Sequence, residues 1–71
     1  MLPKGIDIIT NYLHLAAINQ GVALIDYALV VAASRESARE KVWEQMVKAY
    51  QISKEDLVEQ GYNVEIKRVI V

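Results

Sequence analysis

The chain has 71 residues, a formal net charge of −1 and no cysteine. A single domain of this size has a marginal hydrophobic core, and without cysteine neither a disulfide nor a thiolate-held zinc ion can reinforce it. The near-neutral charge gives no general attraction to nucleic acid or to an anionic membrane surface.

The chain is rich in hydrophobic residues, and its charges are unevenly distributed. Hydrophobic residues make up 54% of it, above the roughly 45–50% of a typical soluble domain. Residues 34–71 carry fourteen of the seventeen charged side chains, whereas residues 8–33 carry only Asp26. This pattern predicts one domain, residues 1–71, with an apolar first half covered by a solvated second half. Because such a chain often completes its core with another subunit, we expect a homo-oligomer, most simply a dimer.

The first segment, residues 5–19, carries polar side chains that would share one helical face. At about 100° per residue, an arc of about 120° holds Lys4, Asp7, Thr10, Asn11 and His14. We therefore predict a helix over residues 5–19, with an exposed His14 and with Gly21 as its C-cap. A hairpin turning at residues 19–21 is the alternative, because three isoleucines near the start of the segment favour strands.

The second segment, Leu24 to Ala33, is a continuous apolar run interrupted only by Asp26. Such a run predicts a strand covered on both faces. It is too short to cross a membrane, which takes about 20 apolar residues in a helix. We expect Asp26 to be an exposed carboxylate at the strand end, or to pair with Lys67 or Arg68 across the sheet.

The second half of the chain predicts two helices and a closing strand. Ser34 is placed to cap a helix over residues 35–50, and Ser53 to cap a short helix that Gly61 ends. From Tyr62 onward, apolar and polar residues alternate as in a strand with one buried face. The alternation breaks at Arg68, which predicts a bulge near residues 67–68 or burial of both faces at the strand tip. The predicted fold class is α+β in the order α-β-α-α-β, with a two-stranded sheet packed against the helices. Because two strands alone are marginal, the N-terminal segment or a second copy would extend the sheet.

No motif for catalysis or for a cofactor is found in the sequence. His14 is the only histidine, and the serines at positions 34 and 53 have helix capping as their simplest role. The three glycines stand alone rather than in a phosphate-binding loop, and zinc sites need cysteine or paired histidines. We therefore expect no enzymatic activity, no cofactor and no metal site.

A protein-interaction role is the favoured hypothesis. The predicted interface residues are Tyr27, Leu29, Val31, Tyr62, Val64 and Ile66. The predicted partner-facing charges are Arg35, Glu36, Arg39, Glu40 and Glu44. Nucleic-acid binding is an alternative that the acidic residues among these charges disfavour.

One segment also resembles a known class of inhibitors. The stretch "VVAASRESAREK", a strand, a serine cap and a helix, is similar to the strand-to-helix junction of several small phage-encoded inhibitors of host defence, anti-CRISPR proteins among them. The resemblance covers about a dozen residues and implies a larger protein partner, without assigning any functional residue. Because no export signal is recognised at the N-terminus, we expect a cytoplasmic protein.

Overall fold

The computed structural model describes residues 10–69. Its elements are β1 (Tyr12–Gln20), β2 (Ala23–Ala32), α1 (Arg35–Tyr50), α2 (Lys54–Glu59) and β3 (Tyr62–Arg68). The strands form one antiparallel sheet in the order β2-β1-β3, so that β1 is central and β2 and β3 are the edges. The α+β class is confirmed, but the order is β-β-α-α-β and the sheet has three strands.

The predicted N-terminal helix is wrong within the described residues, because residues 12–20 form the central strand. The first part of that prediction, residues 5–9, lies outside the described residues. The hairpin alternative is confirmed, although its turn lies at residues 21–22 rather than 19–21. Gly21 has a φ of 61°, in the left-handed region. The polar residues that suggested a helix mostly precede β1, and the one within it, His14, is buried.

The inner face of the sheet, which we define as the face covered by the helices, carries even-numbered residues. Ala16 lies opposite Ala28 on β2 and opposite Ile66 on β3. Because side chains alternate between faces, even-numbered residues of all three strands share this face as far as the bulge described below. The core of buried hydrophobic residues consists of Ala16, Ile18, Val30, Ala32, Ala38, Val42, Trp43, Met46, Leu57 and Val64.

Both helices begin where the sequence predicts. The hydroxyl of Ser34 accepts a hydrogen bond from the N–H of Ser37 at 3.1 Å, and α1 covers the predicted residues 35–50. The hydroxyl of Ser53 accepts a hydrogen bond from the N–H of Asp56 at 3.3 Å and caps α2. These bonds satisfy N–H groups that a helix start leaves without intrahelical partners.

The chain itself covers only one face of β2. The strand is extended, as predicted, but it is an edge strand, and most of its residues are exposed. The bulge is also misplaced in the prediction. It lies opposite residues 18 and 19, where Ile25 has no partner, whereas β1 and β3 pair without a break from Gln20–Tyr62 to His14–Arg68.

Candidate interaction surface

The sheet face opposite the helices, which we call the outer face, is apolar over most of β1 and β2, with Asn19 as the polar exception at the end of β1. Its apolar side chains are Leu13, Leu15 and Ala17 on β1, with Leu24, Tyr27, Leu29 and Val31 on β2. Leu24 joins them, despite its even number, because the bulge at Ile25 reverses the alternation.

The most exposed part of the outer face lies on the edge strand. Tyr27, Leu29 and Val31 expose 56%, 65% and 54% of their surface. Each lies beside an outer-face residue of the central strand, so the exposed carbon is contiguous. Contiguous apolar patches on soluble proteins often mark interaction sites.

Charge on the outer face is confined to the other edge of the sheet. Among the described residues of the three strands, Glu65 and Lys67 are the two charged residues on this face, and both lie on β3. They face Ala17 and Leu15 on the central strand. The outer face is therefore divided into an apolar half over β1 and β2 and a polar margin along β3.

The backbone of β2 presents hydrogen-bonding groups along its free edge. The N–H of Val69 donates to the carbonyl of Leu13 at 2.8 Å, so the odd-numbered residues of β1 direct their backbone groups toward β3. The even-numbered residues of β1 then pair with even-numbered residues of β2. Consequently Tyr27, Leu29 and Val31 direct their N–H and carbonyl groups away from the sheet.

Two charged side chains cap this edge. The Oδ1 atom of Asp26 accepts a hydrogen bond from the N–H of Tyr27 at 2.8 Å. The Nζ atom of Lys41, on α1, donates to the carbonyl of Val31 at 2.8 Å. Charged residues at a free edge limit uncontrolled strand pairing. The N–H and carbonyl of Leu29 face outward between the two caps.

Asp26 does not have the partner that the sequence suggested. The alternative that Asp26 is an exposed carboxylate is confirmed. The predicted pairing with Lys67 or Arg68 is wrong, because β3 lies on the far side of β1 from β2. Lys41, the second cap, was missed altogether. A lysine about two turns into a helix can reach back to the strand that directly precedes the helix. This contact could be predicted only if β2 were already known to be an edge strand with free carbonyl groups.

The predicted interface residues fall into two sets on opposite faces. Tyr27, Leu29 and Val31 lie together on the outer face of β2. The other three, Tyr62, Val64 and Ile66, lie on the inner face of β3 against the helices. The structure therefore does not bring the six residues into one surface.

The predicted partner-facing charges are all exposed on α1. They are Arg35, Glu36, Arg39, Glu40 and Glu44. Glu40 and Glu44 border a shallow depression with Trp43 and Lys54, where the Lys54 ammonium lies 5.4 Å from the Trp43 ring centre. Because acidic and basic residues alternate along the helix, the five charges form no purely basic strip of the kind that binds nucleic acid.

His14 is a structural residue rather than the exposed helical residue that the sequence predicted. It is 1% exposed on the inner face, and its Nδ1 donates to the carbonyl of Tyr12 at 2.9 Å. Within residues 10–69, no group of three or more His, Cys, Asp or Glu side chains is placed to hold a metal ion. No helix in the same part of the chain has both the length and the apolar character needed to cross a membrane.

Comparisons of the chain with protein-family models, curated proteins and solved structures found no match. The outer face and the edge of β2 are therefore the features from which a function can be argued.

Proposed function

We propose that this chain is a non-enzymatic interaction module that self-associates into a homodimer through the outer face and the free edge of β2. The observation that carries the proposal is the exposure of Tyr27, Leu29 and Val31, each more than half exposed on a strand without a neighbour on one side. The inner face is occupied by the chain's own helices, so the outer face is the surface left for a partner.

The exposed carbon favours association with a second copy. Full burial of a side chain of this size stabilises by about 1.5–3 kcal/mol, so burying the exposed part gives roughly 1–2 kcal/mol per residue. Hydrogen bonds along the β2 edge add to the favourable side. The expected dimer is therefore reversible, and its population should depend on protein concentration.

Sedimentation equilibrium tests the proposal. Across concentrations from about 1 μM to about 1 mM, the apparent mass should rise from 8.0 kDa toward twice that value. Leu29→Lys removes two leucines from the contact and places two like charges there, so it should weaken association roughly tenfold or more. The matched control is Val58→Lys, because Val58 is 53% exposed on α2, away from the outer face. It should leave the association unchanged.

A mass that stays at 8.0 kDa throughout the series would overturn the proposal, as would equal weakening by the two lysine substitutions. Two other hypotheses remain predictions: inhibition of a larger host protein, with Glu36, Glu40 or Glu44 facing a basic surface, and nucleic-acid binding. The latter requires a salt-sensitive affinity for DNA that Arg35→Ala with Arg39→Ala reduces. The cytoplasmic location also remains a prediction.

A further inference from the structure

We infer that two copies pair their β2 edges antiparallel about a two-fold axis at Leu29, and that Asp26 of each copy then forms an ion pair with Lys41 of the other. This inference rests on the proposed self-association and specifies its geometry. The result would be one continuous six-stranded sheet, in the order β3-β1-β2-β2-β1-β3.

The position of the axis follows from which backbone groups face outward. Tyr27, Leu29 and Val31 direct three N–H and three carbonyl groups to the free edge. With the axis at Leu29, the two copies of Leu29 exchange both bonds, and Tyr27 of each copy pairs with Val31 of the other. All six outward groups of each copy are then satisfied. Shifting the axis by one residue in either direction would require Ile25, which lies in the bulge, or Ala33, which lies beyond the end of β2.

The caps identify the same register independently. In each chain the Tyr27 N–H is bonded to Asp26 and the Val31 carbonyl to Lys41. These are the two groups that bond to each other between copies in this register. When the Tyr27 N–H of one copy bonds to the Val31 carbonyl of the other, Asp26 of the first copy and Lys41 of the second both lose their backbone partners. The carboxylate and the ammonium are then left beside each other. Within one chain, Asp26 and Val31 are five residues apart, about 16 Å along the strand, so the two charges have no comparable contact.

Self-pairing fits this edge better than an unrelated strand. An isologous interface requires a surface complementary to itself, and here each copy offers one acid and one base at symmetric positions. On the outer face, Leu29 would lie beside Leu29 of the second copy and Tyr27 beside its Val31, the apolar cross-strand pairs that stabilise antiparallel sheets. The second copy thus accounts for the outward backbone groups and the two edge charges together, and it gives the three exposed apolar side chains new neighbours across the strand pair.

Disulfide cross-linking tests the register, since the chain has no native cysteine to interfere. In a hydrogen-bonded antiparallel pair the two Cα atoms are about 5.5 Å apart, within the range of about 4.4–6.8 Å that a disulfide spans. Under mild oxidation, Leu29→Cys should give a covalent dimer. Tyr27→Cys alone and Val31→Cys alone should not, because their symmetry mates are offset by four residues, about 13 Å. A mixture of those two variants should cross-link.

Charge reversal tests the ion pair. Asp26→Lys places two lysines at each contact of its homodimer, and Lys41→Asp places two aspartates there. Each variant alone should dimerise roughly tenfold more weakly than the wild type. Mixing the two should recover a heterodimer of near wild-type affinity, because every contact again joins opposite charges. Circular dichroism of each variant checks that the chain is folded.

The outcomes separate this geometry from the function on which it rests. A wild-type mass of 8.0 kDa at every concentration would overturn both. A dimer by mass in which Leu29→Cys fails to cross-link and mixing fails to restore affinity would overturn the edge pairing alone and leave the self-association standing. Efficient self-linking of Tyr27→Cys would overturn the register.

Discussion

Helix α2 is held to the protein by one fully buried side chain, and its truncation should be severely destabilising. The helix spans six residues. An isolated helix needs about 12–15 residues to be even marginally stable in water, so α2 depends on its contacts with the rest of the protein. Leu57 is its buried residue, with 0% of its surface exposed. The change we consider is Leu57→Ala, with Val58→Ala as the matched control because Val58 is the neighbouring residue and is 53% exposed.

The expected loss is large compared with the total stability. Leu57→Ala removes three carbon atoms from the core, which costs about 2.4 kcal/mol at about 0.8 kcal/mol each. A cavity that does not collapse raises the loss toward about 5 kcal/mol. A domain of this length has an unfolding free energy of about 4–11 kcal/mol, at about 0.05–0.15 kcal/mol per residue. The substitution should therefore remove from about a quarter of the stability to all of it.

Urea denaturation at low protein concentration measures this loss, with Trp43 as the probe. Trp43 lies in the same core with 8% of its surface exposed, so its fluorescence reports unfolding. Val58→Ala should change the unfolding free energy by about 0.5 kcal/mol or less. If Leu57→Ala is no more destabilising than its control, the core does not hold α2 as described.

Two further predictions concern residues with positive φ. Gly21→Ala should destabilise by about 1–2 kcal/mol, because φ is 61° and no neighbouring atom lies within 4 Å of the added Cβ, so that backbone strain is the whole effect; an unchanged urea midpoint would contradict this. Gln51→Gly should stabilise by about 0.5–1 kcal/mol, since Gln51 holds a φ of 56° at the end of α1 and glycine relieves more strain than it adds unfolded-state entropy. A lower midpoint than wild type would show that the side chain of Gln51 contributes more than its strain costs.

Local chemistry in the second half of the chain was sufficient to predict its elements. Serine at positions 34 and 53 provides a hydroxyl for the first free N–H groups of a helix, and this depends only on nearby residues. The alternation after Gly61 likewise reflects a strand with one face in the core. The residues of β2 were read correctly as extended, because β-branched and aromatic residues fit a pleated backbone.

Local chemistry could not predict which strands pair with each other or which residues of β1 are buried. The segment that forms β1 is largely apolar on both faces, because one face contacts the helices and the other belongs to the outer face. Its sequence therefore lacks the alternation of apolar and polar residues that identifies a strand. The polar side chain in its middle, His14, is buried and bonded to a backbone carbonyl, which no pattern of residues indicates. With β1 misread as a helix, the sheet lacked its central strand.

By itself, the sequence determined a small α+β domain rich in apolar residues, together with the caps that start both helices. The order β2-β1-β3 was decided only by the tertiary structure, because strand neighbours depend on contacts between residues far apart in the chain. That order makes β2 an edge, separates Asp26 from β3, and brings Lys41 to the carbonyl of Val31. The surface proposed for self-association exists because these distant residues meet.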